Sequence, residues 1–518
     1  MKKYNGRHTC LCPESFRGRQ VLLKGGLGLV LVLALGIALL QINRNTDTAT
    51  LSAAELSSWQ DALWKQAAKY METKDAKLKK KIVGQYKSYE GRSWKGLETA
   101  YKNVGRPSQK TGLTQKSVKL SADKSGPSYF IGVPAGYDPA KSWPLLIALH
   151  GGGSAMPAQG GQKQNVGDAK DIMQLFNPIG TGEGCIVVAP QCTFAQNSGA
   201  DAWNNPIEEQ AVFSIIKDVK KEYNIDANRI YLCGHSMGGW GAFYLGGRNT
   251  DFFAGVGPMS GTYCQMAFVN FLHTPIYIIY GDQDPRAQSD LPKTRGAAQK
   301  LKEYGCDYVY AELKGHGHGW GEPVWVNETK TMVKWLVQHG KRNMYPKKVV
   351  YLNPAVSYSN EGFGGRTVKG YSFWVKISDD SQGSCQITAE VKGNTIDVTT
   401  AGWVNKLYIY VSDNLVNMEK PITVVVDGMK YFDNKVDRSI DFLLEHLAET
   451  QDEGCVFANQ IEINRREPPP PELDPKTGKP KPVKPGTPPP RPPQPNPPPA
   501  DGQFPPQIGG RPQPPPGQ

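Results

Sequence analysis

The chain has 518 residues, which is too many for one ordinary domain, and its formal net charge is +12. Its excess of basic residues lies in the first 24 residues, in the stretch 74–119 and in the C-terminal tail, so the middle of the chain is nearly balanced. That middle part has no basic face interleaved with aromatic residues, which argues against a nucleic-acid-binding protein.

The first predicted element is an apolar segment, Gly25–Ile42, which contains eighteen residues without a charge. Arg7, Arg17, Arg19 and Lys24 precede it, and basic flanks stay on the cytoplasmic side of a membrane. Its length is at the short end for a membrane-spanning helix. We therefore expect an uncleaved signal anchor that places the bulk of the chain outside the cytoplasm, with cleavage and secretion as the alternative.

A helical stalk is predicted next, because apolar residues recur at helical spacing from Leu56 onwards in the range 51–106. Lys74–Lys81 holds five lysines in eight residues. We expect a solvated linker helix here, with contact to anionic lipid headgroups as the alternative. Gly105–Gly112 then interrupts the pattern.

An α/β domain is predicted to follow, because short apolar runs alternate with amphipathic stretches from about Val118. Several runs are continuously apolar, as parallel strands covered on both faces must be. The predicted strands are 129–134, 144–150, 185–190, 229–234, 255–260, 275–281 and 308–314. The predicted helices are 208–223, 240–248, 292–304 and 328–339.

The C-terminal part has a different pattern. Residues 346–433 indicate a small β-sandwich-like module, with hairpin turns at Lys392-Gly393-Asn394 and at Asp427-Gly428, and a closing helix over 435–447. The tail from Glu467 holds 23 of the 41 prolines and is predicted to be a disordered or polyproline II spacer, with protein binding as the alternative.

The cysteines indicate no metal site. The sequence has no CxxC pair with zinc spacing, and neither a metal nor an organic cofactor is expected. Seven of the nine cysteines follow the apolar segment, which allows up to three disulfides and one free thiol. Cys233 lies at the end of a predicted buried strand, where a reduced thiol in the core is expected.

Ser236 is the predicted nucleophile. It lies in a Gly-x-Ser-x-Gly stretch, which is a weak signal by itself in a chain with 56 glycines. A predicted strand directly precedes it and a predicted helix follows, which is the setting of an exposed serine on a strained turn. The backbone N–H of Met237 is then placed to donate to an oxyanion. A second donor is expected from the loop His150-Gly151-Gly152-Gly153, at Gly152 or Gly151, since that loop also follows an apolar strand.

An acid and a base are expected on two later loops, each following a predicted strand. Asp284 is the preferred acid, with Asp282 as the alternative, and His318 is the preferred base, with His316 as the alternative. His235 lies beside the serine but is not expected to be the base, because the base comes from another loop. The candidates for the substrate pocket are His235, Trp203, Trp240 and Trp320, with a packing or core position as the alternative for each.

These motifs carry a family resemblance. Residues 118–340 resemble the α/β-hydrolase superfamily, and the closer likeness is to exported esterases of the polyhydroxybutyrate-depolymerase and feruloyl-esterase type and to the catalytic domain of prolyl-oligopeptidase-like peptidases. The resemblance implies a Ser236–Asp284–His318 triad. The short span between the apolar segment and the first predicted strand leaves no room for the β-propeller of those peptidases, which favours ester substrates.

The sequence as a whole therefore predicts a membrane-anchored, extracytoplasmic serine hydrolase. A carboxylic ester hydrolase is favoured, a serine peptidase is the alternative, and an anchored binding or scaffold protein with a relic hydrolase fold is the alternative from a different class. The predicted segments are a basic cytoplasmic segment 1–24, an anchor 25–42, a stalk 43–115, a catalytic domain 116–343, a β module 346–433, a helix and linker 434–466, and a tail 467–518.

Overall fold

The computed structural model describes the chain in several stretches. They are residues 69–70, 73, 75–87, 111–121, 124–152, 168–192, 203–262, 267–319, 321–353, 370–378, 382–450 and 452–465. The predicted anchor and the proline-rich tail lie outside these residues. Within the stretches that are described, no helix is both long enough and apolar enough to span a bilayer.

The centre of the fold is an eight-stranded sheet with the order β1-β2-β4-β3-β5-β6-β7-β8. Its strands are β1 (Gly112–Ser121), β2 (Lys124–Val133), β3 (Trp143–Leu149), β4 (Ile186–Pro190), β5 (Ile225–His235), β6 (Gly255–Met259), β7 (Ile276–Gly281) and β8 (Tyr308–Leu313). Strands β3 to β8 run parallel, whereas β2 is antiparallel to β4 and β1 is antiparallel to β2. The predicted α/β fold with a mostly parallel sheet is confirmed.

Helices cover both faces of this sheet. They are α2 (Ala169–Gly182), α3 (Pro206–Glu222), α4 (Met237–Arg248), α5 (Ala287–Glu303) and α6 (Pro323–His339), and they follow α1 (Ala76–Lys87) in the stalk. Two elements were not predicted. Helix α2 contains Pro178, which in sequence indicates a helix break, and β1 is largely polar because it is the edge strand.

The alternation of side chains along β3 shows why its sequence is continuously apolar. Leu145, Ile147 and Leu149 belong to one core cluster, which includes side chains of α3 and α4. Leu146 and Ala148 point to the other face, where they join side chains of α2 and α6. Burying a side chain of this size stabilises the fold by roughly 1.5–3 kcal/mol, so both faces of the strand favour its central position.

The C-terminal module consists of two sheets and one helix. One sheet has the order β16-β15-β13-β12-β9 and the other has the order β10-β11-β14-β17. The elements are β9 (Lys348–Asn353), β10 (Tyr371–Ser372), β11 (Val375–Ile377), β12 (Gln382–Lys392), β13 (Thr395–Trp403), β14 (Lys406–Val411), β15 (Ile422–Val426), β16 (Met429–Asn434), α7 (Ile440–Thr450) and β17 (Asn459–Asn464). The all-β module is confirmed.

The two hairpin turns predicted in the module contain residues with positive φ. Asp427 and Gly428 both have positive φ, 48° and 80°, as a type I′ hairpin turn between β15 and β16 requires. Gly393 has φ 63° in the turn between β12 and β13. Strand β17 lies in the segment predicted as helix and linker, and it extends the second sheet by pairing with β14.

Helix α1 is the described part of the predicted stalk. Its Ile82 and Val83 side chains are buried, and the helix contacts α7. Lys77, Lys80 and Lys81 are exposed on its outer side. The free thiols of Cys185, Cys233 and Cys306 are buried in the α/β domain, as was predicted for Cys233.

A buried ion pair connects the two domains. Arg342 lies just after the end of α6. Its guanidinium donates hydrogen bonds to both carboxylate oxygens of Asp452, at distances of 2.5 and 2.8 Å. It also donates to the carbonyl oxygen of Asp251 at 3.1 Å and to the Asn228 side chain at 3.2 Å. Both residues lie near the N-terminal ends of β6 and β5. The module is therefore attached near the N-terminal ends of the parallel strands, opposite to their carboxyl ends.

Removing one partner of this pair should destabilise the protein strongly. We expect Arg342→Ala to lower the free energy of unfolding by about 3–5 kcal/mol, because Asp452 is left charged and buried without its partner. Lys430→Ala, which breaks the exposed Lys430–Asp433 pair, should cost less than about 1 kcal/mol. Urea denaturation of both variants checks this, and equal losses would contradict the assignment.

Candidate active site

Ser236 occupies the turn between β5 and α4. Its φ is 57° and its ψ is −117°, a conformation that is strained for a residue with a side chain. The Ser236 N–H donates to the Met259 carbonyl at 2.9 Å, and the Trp240 N–H donates to the Ser236 carbonyl at 3.0 Å. These two hydrogen bonds fix the strained turn between the neighbouring strand β6 and the first turn of α4.

The two glycines of the motif are required by close backbone contacts. A Cβ on Gly234 would lie 2.2 Å from the Gly238 carbonyl oxygen, and a Cβ on Gly238 would lie 2.0 Å from the Leu149 carbonyl oxygen. Neither oxygen belongs to a flexible side chain, so neither can move away cheaply. The tight turn therefore explains why glycine stands two residues before and two residues after the serine.

His318 and Asp284 complete a chain of hydrogen bonds that begins at Ser236. The Nε2 atom of His318 lies 2.7 Å from Ser236 Oγ, and its Nδ1 forms a short hydrogen bond with Asp284 Oδ2. The other carboxylate oxygen of Asp284 accepts the backbone N–H of Arg286 at 2.8 Å. In this arrangement Nδ1 donates to the carboxylate and Nε2 is free to accept the serine proton.

Asp284 is held in its charged form. Its burial by itself raises the pKa of the carboxyl group, but the hydrogen bonds from His318 and from the Arg286 N–H outweigh this effect, so the pKa lies below its usual value. A carboxylate in this position fixes the tautomer of the imidazole and stabilises the imidazolium that forms when His318 takes a proton.

The two alternative residues point elsewhere. Asp282 accepts the backbone N–H of Gly315 at 2.7 Å and lies 3.7 Å from Lys314 Nζ, so it ties the β7 loop to the β8 loop. His316 Nδ1 lies 3.2 Å from a carboxylate oxygen of Glu322. The structure therefore brings Asp284 and His318 to Ser236, and not Asp282 and His316.

The glycine loop after β3 passes directly beside the serine. A Cβ on Gly151 would lie 3.1 Å from Ser236 Cβ and 3.1 Å from the His235 carbonyl oxygen. Gly152 has φ 100°, a backbone conformation that favours glycine. Met237 is the first residue of α4, so its N–H belongs to the free N-terminal end of that helix. Gly153 lies outside the described residues.

The comparison with protein families agrees with this site. Residues 127–330 match the family model described as "Putative esterase". This matched segment is called the esterase-family domain below. The match covers less than half of the chain and extends from β2 to the middle of α6, including all three residues of the hydrogen-bond chain.

One curated relative resembles part of the chain. The chain is 30% identical over 147 residues to the bifunctional acetylxylan esterase/xylanase of Neocallimastix patriciarum. The aligned part covers 28% of this chain and 20% of that protein, so the chain spans about a fifth of the relative's length.

The domain is also similar to solved structures. A thermostable esterase is 23% identical with a TM-score of 0.36, over 44% of this chain and 63% of that chain. The feruloyl esterase module of Clostridium thermocellum is 17% identical with a TM-score of 0.32, over 44% and 87%. Dipeptidyl peptidase 4 of Porphyromonas gingivalis is 13% identical with a TM-score of 0.34, over 45% and 36%.

The side chains of His150 and Trp203 form hydrogen bonds that hold the glycine loop of the esterase-family domain in place. His150 Nε2 accepts the Cys192 N–H at 3.0 Å, and its Nδ1 donates to the Gly151 carbonyl at 2.8 Å. Burial lowers the pKa of His150, which keeps the ring neutral as this pattern requires. Trp203 Nε1 donates to the His150 carbonyl at 3.0 Å. Sequence reasoning noted His150 only as the first residue of the glycine loop and did not predict this supporting contact.

Two of the four pocket candidates lie in the interior of the domain. Trp203 is completely buried and His235 is 4% exposed. The His235 ring packs 5.0 Å from the His318 ring and 6.0 Å from that of Trp325, and burial lowers its pKa to about 3, so the ring is neutral. Trp240 is half-buried. Trp320 lies outside the described residues.

The glycine contacts predict how the serine turn responds to substitution. Gly238→Ala should destabilise the esterase-family domain by about 1–3 kcal/mol and lower its esterase activity, since the new methyl group displaces the turn that carries Ser236. Gly296→Ala in α5, where a Cβ meets nothing within 4 Å, should instead stabilise by about 0.5–1 kcal/mol and leave activity unchanged. Denaturation curves and ester hydrolysis measure both effects. A neutral Gly238→Ala variant would contradict the close contact.

Proposed function

We propose that the esterase-family domain is a carboxylic ester hydrolase in which Ser236 is the nucleophile, His318 the general base and Asp284 the acid that orients it. The observation that carries this proposal is the 2.7 Å contact between His318 Nε2 and Ser236 Oγ, with Asp284 on the other ring nitrogen. A serine hydroxyl is a weak nucleophile until a base in this position accepts its proton.

In the proposed mechanism His318 takes the proton from Ser236 while Oγ attacks the ester carbonyl. The backbone N–H groups of Met237 and of Gly151 or Gly152 stabilise the oxyanion of the tetrahedral intermediate. The imidazolium then protonates the departing alcohol and leaves an acyl-enzyme. A water molecule, deprotonated by the same ring, attacks the acyl group and regenerates Ser236.

Esters are favoured over peptides for two reasons. The matching family model is that of an esterase, and the curated relative that resembles 28% of the chain has an acetylxylan esterase as one of its two activities. An acylated carbohydrate is therefore a reasonable substrate class to assay first. Cleavage of prolyl peptides instead of esters would favour the peptidase alternative.

Substitutions of the proposed triad test the catalytic roles. Ser236→Ala should lower kcat/KM for p-nitrophenyl acetate by about 10⁴-fold or more and abolish labelling by a fluorophosphonate probe. Asp284→Asn should cost about 10⁴-fold, because the wrong tautomer of His318 is favoured. Asp282→Asn is the matched control and should cost less than about tenfold, since it contacts only the neighbouring loop. Undiminished hydrolysis by Ser236→Ala would overturn the proposal and favour the non-catalytic alternative.

We propose further that Gly25–Ile42 anchors the chain in a membrane with the hydrolase domain outside the cytoplasm. The support is its uncharged sequence and the six basic residues before it. The full chain should remain in the membrane fraction after carbonate extraction, and a variant that lacks residues 1–42 should be released. Release of the full chain, or protection of the hydrolase domain from protease added to spheroplasts, would contradict the anchored topology.

A further inference from the structure

We propose that Arg286 is a specificity-determining residue that binds a carboxylate group of the substrate beside the reacting serine. This inference rests on the proposed ester hydrolysis at Ser236 and names the substrate class more closely, as esters that carry a negative charge on the acyl or the alcohol part.

Contacts to triad residues fix the position of Arg286. Its backbone N–H donates to Asp284 Oδ1 at 2.8 Å, which places its Cα at the acid. Its guanidinium lies over the ring of Trp240, 5.9 Å from the ring centroid. Trp240 in turn donates its backbone N–H to the Ser236 carbonyl at 3.0 Å. Both members of the Arg286–Trp240 pair are therefore bonded to residues of the proposed triad.

Arg286 is the exception among the arginines that the structure describes. The other six all form ion pairs with carboxylates: Arg229, Arg248, Arg295, Arg342, Arg438 and Arg465. Arg286 is exposed and has no such partner in the described stretches. A cationic side chain that packs on an aromatic ring and lacks a carboxylate is poised to bind one from outside.

The carboxylates that are closest to Arg286 in sequence contact other groups. Asp284 is bonded to His318 and to the Arg286 backbone rather than to its side chain. Asp282 faces Lys314 and the Gly315 N–H. Asp290, in the first turn of α5, is bonded to Ser289 and lies 3.9 Å from Lys293.

The chemistry of the pair favours a carboxylate over other groups. A guanidinium presents several N–H donors in a planar fork that matches the two oxygens of a carboxylate. The indole ring supports one face of the fork by a cation–π contact and restricts its motion, so less freedom is lost when the anion binds. We expect such a contact to raise kcat/KM for an anionic ester about 10- to 100-fold over its neutral analogue.

Two pairs of esters test the proposal with the full-length protein. For the acyl side, p-nitrophenyl hydrogen succinate is compared with p-nitrophenyl butyrate. For the alcohol side, 4-acetoxybenzoate is compared with methyl 4-acetoxybenzoate. After correction for spontaneous hydrolysis, the wild-type protein should have a higher kcat/KM for the carboxylate member of one pair. That pair shows whether Arg286 binds a carboxylate on the acyl part or on the alcohol part of the substrate.

The variants then connect the preference to Arg286. Arg286→Gln should lower the anionic-to-neutral ratio of kcat/KM about 10- to 100-fold, and Arg286→Lys should recover part of it, because the charge remains but the planar fork is lost. High salt should weaken the preference of the wild type and have little effect on Arg286→Gln. Arg295→Gln, which removes an arginine of α5 that is paired with Glu312, should leave the ratio unchanged.

Different results would contradict the role of Arg286 and the ester hydrolysis at Ser236. A wild-type protein that hydrolyses the neutral esters but shows no preference in either pair would overturn the role of Arg286 and leave the esterase intact. So would an Arg286→Gln variant that loses activity on both members equally, which indicates a structural role. Absence of hydrolysis of all four esters together with absence of fluorophosphonate labelling would overturn the esterase itself, and the role of Arg286 with it.

Discussion

The candidate site depends on one constraint, the close approach of the β5–α4 turn to the backbone of the neighbouring strands. Ser236 keeps its strained conformation because its N–H is bonded to Met259 on β6 and because Gly238 lies against the Leu149 carbonyl on β3. Strain of this kind, of order 1–3 kcal/mol, persists only where the surrounding structure fixes it. A large buried sheet provides that support, so the core and the site cannot be separated energetically.

The same sheet explains why residues far apart in sequence meet. The loops that carry Gly151, Ser236, Asp284 and His318 all follow parallel strands, and the carboxyl ends of parallel strands lie at one edge of the sheet. The C-terminal β module is attached through Arg342 at the other edge. Among the described residues, these Arg342 contacts lie at the opposite end of the parallel strands from Ser236.

The fold was predictable where local pattern and tertiary environment agree. The seven apolar strands of the hydrolase domain were predicted because strands buried on both faces must be apolar throughout, as β3 shows. The misses have the opposite character. Helix α2 contains Pro178, β1 is a polar edge strand, and β17 is a short strand in the segment that was predicted as helix and linker. The pairing of β17 with β14, which is distant in sequence, decides its place in the sheet.

The sequence by itself determined the order of the elements, the glycine turn at Ser236 and the loops on which an acid and a base were expected. The tertiary structure alone decided between the neighbours on those loops, because a side chain two residues away points in another direction: Asp284 and His318 face Ser236, whereas Asp282 and His316 face other loops. It also placed Trp203 and His235 in the interior, since an aromatic residue in sequence carries no sign of which face its element buries.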